Sequence, residues 1–481
     1  MNLFVLTLLS FLCGGSGNDL LDYVPTDVYW KAKHMAVSVD AMALELKPVT
    51  DAAVAGWIAD LDSADPLTRD AAYRELLHAG PAVLPKLKAV ADSPQPEVSR
   101  RASILIERIN AAPRRHMVRR LMALRTLGEL KKPEALPVLR GFLDSREMFV
   151  ADYARASIAQ IEGKPVERSR AAGTSNNVWL LPAECRAVAH VELRSGRPID
   201  YAEAFKQMPL SAGQDKDVTI DFIANQALTT AEAIGNVRLD ALTVGVSGDA
   251  PEKSGFAVVI ASGAYDAAAL DALARKLKIV FKTVDGKDVF QPDTDTAAFL
   301  PSDDRLVLVA GGGEQGAPLA QMFAAMKSGK GKLATTPEMV KLIAGVDTSQ
   351  PVWAAMRVTD AYRKAGVPEE FEEATLVGER QGAGIRFTAR GEGTDATKVK
   401  AAADQMSAAV AQSAKEIRRV LNVMPALRVM ADLPDQVKIT TDGASAKLIA
   451  ELRESPVDSF LLPLMMTFGT PQRQEKALPG E

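Results

Sequence analysis

Between residues 50 and 162 the apolar positions fall three and four apart, the spacing of one face of a helix. Leu76, Leu77, Leu84, Leu87 and Val90 line neighbouring helices, and Met117, Leu121, Leu124 and Gly128 form a stripe on another. Strand-like alternation is absent. Punctuation marks the ends. Asp65-Pro66 supplies an N-cap and a first-turn proline, Gly80-Pro81 closes one helix and opens the next, and Pro113 and Pro133 open two more. The pattern predicts helices over about 65–79, 81–92, 95–110, 114–130, 133–144 and 147–162.

Beyond residue 176 the period changes. Strands are predicted over 187–193, 239–246 and 255–262, with helices over 218–233 and 265–277. Short strands near 279–284, 287–291, 296–300 and 305–310 turn at Asp285-Gly286 and Asp303-Asp304, and helices follow near 316–327 and 336–345. After Gln350-Pro351 a weaker copy begins: a strand over 352–358, a hairpin of 372–378 with 382–389, a long helix over 395–421 and strands over 437–441 and 447–452. The expected fold is multidomain: an all-α repeat region, 50–162, then an α+β domain with a mostly antiparallel sheet built from two weakly similar halves, 177–350 and 351–455. A lead-in, 18–49, precedes the helices, a linker, 163–176, separates the two regions, and a tail, 456–481, is expected to be partly disordered.

The helical part repeats itself. Leu84-Pro85-Lys86-Leu87 and Asp92-Ser93 recur as Leu136-Pro137-Val138-Leu139 and Asp144-Ser145. Val98, Ala102 and Ala71 recur as Val150, Ala154 and Ala123, all at one offset of 52 (136 minus 84). A single offset at three places is a repeat of two three-helix units. The stretches Asp65-Pro66-Leu67-Thr68-Arg69-Asp70-Ala71-Ala72 and Pro96-Glu97-Val98-Ser99-Arg100-Arg101-Ala102 resemble HEAT or armadillo repeats. That resemblance covers about a quarter of the chain and implies stacked helices used as a protein-binding surface. The region 176–455 resembles a family of exported bacterial proteins of unknown function, on Leu180-Leu181-Pro182-Ala183-Glu184, on Val258-Val259-Ile260-Ala261-Ser262-Gly263-Ala264-Tyr265-Asp266 and on Lys332-Leu333-Ala334-Thr335-Thr336-Pro337-Glu338-Met339. Those motifs are structural punctuation. The resemblance implies an envelope location and no established catalysis.

The first residues point the same way. Residues 3–12 carry no charge. Ten residues fall short of the roughly 20 that span a bilayer but suit the apolar run of a signal peptide. Gly15 and Gly17 stand in the −3 and −1 places of a cleavage site, so 1–17 is expected to be a cleaved signal and the protein periplasmic or secreted. A retained anchor and a buried first helix are the alternatives. Lipoprotein processing at Cys13 fits poorly, because Leu12 is bulky for that site.

Charge narrows the partners. With 57 basic and 61 acidic residues the net charge is −4, which argues against a nucleic-acid binder. Residues 18–170 carry a net +2 and 171–481 a net −6, which permits contact between the two parts. Two cysteines, Cys13 and Cys185, exclude a disulfide framework, and four scattered histidines argue against a metal site.

Five candidates for chemistry stand out. Arg114, Arg115, Arg119 and Arg120 place an exposed basic ridge away from the Met117, Leu121 and Leu124 stripe, one that would dock an acidic partner or an anionic envelope polymer. Gly311-Gly312-Gly313-Glu314-Gln315-Gly316 has dinucleotide-loop spacing but lacks the following parallel strand. Lys327-Ser328-Gly329-Lys330-Gly331-Lys332 lacks the first glycine of a phosphate loop, since Met326 holds its place. Glu369, Glu370, Glu372 and Glu373 surround Phe371 without a ligand loop, and His190 lies in a strand. No catalytic, cofactor-binding or metal residue is therefore assigned. The leading expectation is a non-catalytic exported scaffold whose helical repeats bind another envelope protein. The alternative is a carrier holding an apolar ligand in the α+β domain, and the third is a hydrolase.

Overall fold

The computed structural model describes residues 19–147, 149–164, 174–192, 216–248, 255–276, 279–284, 287–291, 296–311, 316–364, 366–381, 384–423 and 436–452. The expected signal segment, most of the linker and the tail lie outside them.

The six helices expected from spacing are present: Pro66–Ala79 (α4), Leu84–Ala91 (α5), Pro96–Ala111 (α6), Arg115–Glu129 (α7), Leu136–Arg140 (α8) and Val150–Ile161 (α9). Asp65 caps α4, its carboxylate accepting from the Leu67 and Thr68 amides at 3.2 and 3.1 Å, and Pro66 opens the helix. Two helices precede them in the lead-in, Thr26–Ala32 (α1) and Val39–Glu45 (α2), followed by Asp51–Asp60 (α3). Their sequence lacks a long stripe, yet Tyr29 and Trp30 of α1 are among the most deeply buried large side chains.

The remainder is a mixed α+β region around one antiparallel sheet. Twelve strands are described: Cys185–Glu192 (β1), Arg238–Ser247 (β2), Phe256–Ala264 (β3), Val280–Val284 (β4), Lys287–Gln291 (β5), Thr296–Ser302 (β6), Arg305–Gly311 (β7), Val352–Arg357 (β8), Phe371–Gln381 (β9), Gly384–Gly393 (β10), Lys438–Asp442 (β11) and Ser445–Leu452 (β12). Their order is β11-β12-β10-β9-β8-β1-β2-β3-β7-β6-β5-β4. Helices Lys216–Ile234 (α10), Ala267–Lys276 (α11), Gly316–Ser328 (α12), Pro337–Ala344 (α13), Asp360–Lys364 (α14) and Ala396–Val423 (α15) connect them.

Alternation along the strands divides the side chains between the two faces. On one face Val188, Val258, Ile260, Val307, Val309 and Trp353 pack with Met322, Phe323 and Leu342 of α12 and α13. On the other, Leu242, Ala261 and Leu306 pack with Ala227 and Ala231 of α10 and with helices α1, α2, α7 and α9. That cluster holds Trp30, Leu121, Leu124, Tyr153 and Tyr265 together, so a shared core crosses the boundary expected at 163–176. Close approach within it depends on Gly128. A Cβ there would lie 2.8 Å from the Ser157 backbone, so α7 and α9 touch where Gly128 leaves room.

Candidate functional site

The basic ridge is the first candidate, and α7 places it differently from the expected pattern. Arg119 is 7% exposed. Its guanidinium pairs with Glu45 of α2 and donates to His78 Nε2 at 3.2 Å and to Met35 Sδ at 3.0 Å. It also lies 5.6 Å from the centre of the Trp30 ring. Arg115 pairs with Glu232 of α10 at 3.2 Å, and Arg114 pairs with Asp266 at 2.5 Å while its amide donates to the Glu232 carbonyl. Arg120 alone turns to a well-exposed partner, Glu147, at 2.6 Å. The exposed docking ridge is thus corrected: Arg114 and Arg115 fasten α7 to the sheet domain, and Arg119 is an interior cation.

The physical reason is that α7 is enclosed on nearly every side. Val118, Met122, Ala123 and Leu127 are buried as well as Leu121 and Leu124. The stripe marked only one flank, along which Gly128 meets Ser157 of α9 and Met117 meets Gly235 beyond α10. The lead-in covers another. Trp30 Nε1 donates to Thr126 Oγ1 at 2.8 Å, Arg125 donates to the Leu21 and Val24 carbonyls at 2.8 and 3.0 Å, and Thr26 bonds Glu129. Farther along, the Leu20 amide donates to the Val237 carbonyl, and Arg238 pairs with Asp152 at 3.0 Å and with Asp240 at 3.1 Å. Sequence spacing carried no signal for these partners of α7, because they lie from about 40 positions (His78) to about 150 (Asp266) away along the chain.

The second candidate is the sheet face that carries Ala189. In register across the strands run Leu308, Val259, Val244, Ala189, Ala354, Leu376, Ala389, Leu448 and Ile439. Two parallel rows flank this one. Leu306, Ala261, Leu242, Val191, Val352, Gly378, Phe387 and Ala450 form the first, and Ala257, Val246, Ala187, Met356, Ala374, Gly391 and Ala446 the second. At one end the face is roofed by the shared helical core. At the other, Val399, Ala402 and Ala403 of α15 pack with Met356 and Ala446. Between the two clusters Val259, Val244, Ala189, Ala354, Leu376 and Ala389 are half-buried, with no polar side chain among them. The small side chains of Ala189, Ala354 and Ala389 make the floor shallow at its centre.

The remaining candidates are not brought together. β7 leads to the glycine turn, but its neighbours β3 and β6 are both antiparallel to it, which is not the parallel unit that holds a dinucleotide. Residues 312–315 lie outside the described residues. The Gly331 amide donates to the Trp179 carbonyl at 2.7 Å, which ties the lysine loop to residues 174–180. Phe371 is buried, and Glu373 pairs with Arg357 at 2.6 Å. His190 is 1% exposed; its Nδ1 lies 3.0 Å from Thr243 Oγ1, its ring stacks on Trp353, and burial lowers its pKa to about 4. Burial pushes the Cys185 thiol up to about 12, which suits an inert buried cysteine. Among the described residues no three His, Cys, Asp or Glu side chains stand together as a metal site, and no helix is long and apolar enough to cross a membrane.

Comparison with known proteins adds little. No protein-family model matches the chain, and no curated protein matches it. Solved structures similar to it include crystal forms III, I and IV of TP0453, a Treponema protein, at 9%, 10% and 8% identity with TM-scores of 0.33, 0.31 and 0.33. They cover 60% of this chain and 95–96% of TP0453. A likeness that distant carries no inference about function.

Proposed function

We propose that this protein is a non-catalytic exported carrier that holds an apolar, acyl-type ligand on the half-buried face of its sheet. The observation that supports the reading is the row from Val259 to Ala389, apolar in every strand and, among the described residues, packed by helices at its two ends and half-buried between them. At about 4.8 Å per strand these six strands give a track of roughly 24 Å, a length that suits one extended acyl chain. Apolar side chains left only half-buried on a sheet face are where an apolar ligand would complete the packing.

The helical region then serves as a roof. Its reading as two HEAT-like units is supported by equivalent buried positions at the repeat offset: Leu87 with Leu139, Val98 with Val150 and Ala102 with Ala154. The reading of the sheet as two halves is supported by order. β1-β2-β3-β7 and β8-β9-β10-β12 follow the same strand, hairpin and added-strand sequence outward from the β1–β8 pair. The scaffold alternative is weakened, since Arg114, Arg115 and Arg119 are spent on internal partners.

Organic extraction of protein purified from its native envelope, followed by mass spectrometry, tests the proposal. An acyl lipid should be recovered from the wild type and lost from Ala354→Trp, which fills the floor and points away from the buried Trp353 and Ala355 on the opposite face. A clean extract together with a co-purifying protein would return the scaffold reading.

A further inference from the structure

Residues 51–111 carry a core of their own. Val54, Leu61, Leu76, Val83, Leu87 and Leu105 cluster apart from the large core that unites the lead-in, α7, α9 and the sheet. The chain enters this unit through residues 46–50 and leaves it through residues 112–114, between the helices that end at Glu45 and Ala111 and those that begin at Asp51 and Arg115. The contact between the unit and α7 is built around two histidines. His78, in the last turn of α4, accepts a hydrogen bond from Arg119 at 3.2 Å. Gly80, at φ +67°, lets its backbone lie against the His116 ring, where a Cβ would stand 2.8 Å from Nδ1.

We propose that residues 51–111 form a hinged arm whose contact with the rest of the molecule is released by acid, with His78 and His116 as the switch. The geometry requires the His78 imidazole to be neutral in the closed arm, and the His116 ring packs there with its Nδ1 buried against the Gly80 backbone. Arg119 has only donors, so His78 Nε2 must be bare to accept. A proton there would set two cations at hydrogen-bond distance. The groups facing His78 are Arg119 and Arg115 on α7, Lys33 after α1 and Glu45 on α2, with Arg74 and Glu75 on its own helix. Those facing His116 are Arg114, Arg120 and Glu147, and its ring also bonds the Pro113 backbone, which works against burial. Around His78 the cations outnumber the carboxylates even with Glu232 counted, which pairs with both Lys33 and Arg115, and Glu45 is already paired with Arg119. Around His116, Arg114 and Arg120 are paired with Asp266 and Glu147. Burial, followed by the Arg119 charge, lowers His78 to about 3, and burial lowers His116.

In the open arm both rings meet water and regain the ordinary value near 6.5. Below that pH the open form therefore binds protons that the closed form does not, and the closed form is lost as pH falls. Each histidine multiplies the open-to-closed ratio by up to about tenfold per pH unit. For His78 the effect runs from about 6.5 down to about 3.

The test places a donor–acceptor dye pair on the full mature chain through Arg100→Cys on α6 and Arg155→Cys on α9. Both sites are exposed, and Cys185 is buried away from the dyes. Between pH 6.5 and 5 the ratio of a longer-distance population to the closed one should grow by about 15-fold or more while far-UV circular dichroism stays constant. In His78→Gln with His116→Gln the population should no longer follow pH, and His78→Asn alone should remove part of the dependence if the double variant folds poorly. A single distance down to pH 4.5, a growth unchanged by the variants, or growth only together with global unfolding would each overturn the proposal.

Discussion

The Arg119 guanidinium donates to His78 Nε2 and is paired with Glu45, so one buried side chain joins the lead-in, the first helical unit and the second. Removing it strands Glu45 in an interior shaped for a pair. Arg119→Ala should cost about 3–5 kcal/mol, the range for breaking a buried ion pair. Arg120→Ala should cost under about 1 kcal/mol, because its partner Glu147 is exposed. Urea melts of the two variants measure the contrast. Equal costs would return Arg119 to the surface.

The lead-in is structural. Trp30 is 0% exposed and its indole N–H is bonded to Thr126. Trp30→Ala should cost about 3–5 kcal/mol through cavity formation. Trp30→Phe, which keeps most of the volume but abandons the Thr126 hydroxyl, should fall between Trp30→Ala and the wild type.

A fragment ending in the linker should not fold as the full chain does. Residues 48–165 lack the lead-in, α10 and β2, which supply Trp30, Ala231 and Leu239 to the shared core. In that fragment residues 51–111 should keep amide protection, while α7 and α9 should exchange rapidly. Hydrogen exchange read helix by helix gives the answer. Protection of α7 and α9 equal to that in the intact chain would separate the two regions after all.

The contact of α7 with α9 has no spare volume. Gly128→Ala places a Cβ 2.8 Å from Ser157, backbone included. Overpacking of this kind should lower stability by about 1–3 kcal/mol, with the Tm as readout. Gly56→Ala, on an open helix surface with nothing within 4 Å, should be neutral or slightly stabilising.

His190 adds a pH dependence separate from the arm. Its folded pKa of about 4 lies below the ordinary value, so the unfolded chain binds its proton first as pH falls. The stability tied to neutral His190 is whole above about pH 6.5 and is lost progressively down to about 4, on the order of 3 kcal/mol in total. Denaturant titrations of wild type and His190→Gln from pH 7.5 to 4.5 should converge as pH falls. Parallel curves would place His190 in contact with solvent.

Local chemistry in the sequence determined the elements. Asp65-Pro66 and Gly80-Pro81 bound α4 whatever lies around them, because a cap, a fixed φ and a missing N–H act within a few residues. Helical spacing in 50–162 and two-residue alternation beyond 176 were equally legible, and strands β1 to β12 fall within a few residues of the expected ones. The apolar rows on the sheet were half legible: each strand shows its own alternation, but register decides that Ala189, Ala354 and Leu376 stand side by side. Burial of charge was not legible at all. Arg115 and Arg119 look like a solvated ridge at i and i+4, and only the return of the lead-in and α10 over α7 supplies Glu45 and Glu232 to them. A pairwise Coulomb interaction acts over a few ångströms in space and leaves no period along the chain, so which arginine is interior was decided by the tertiary structure alone.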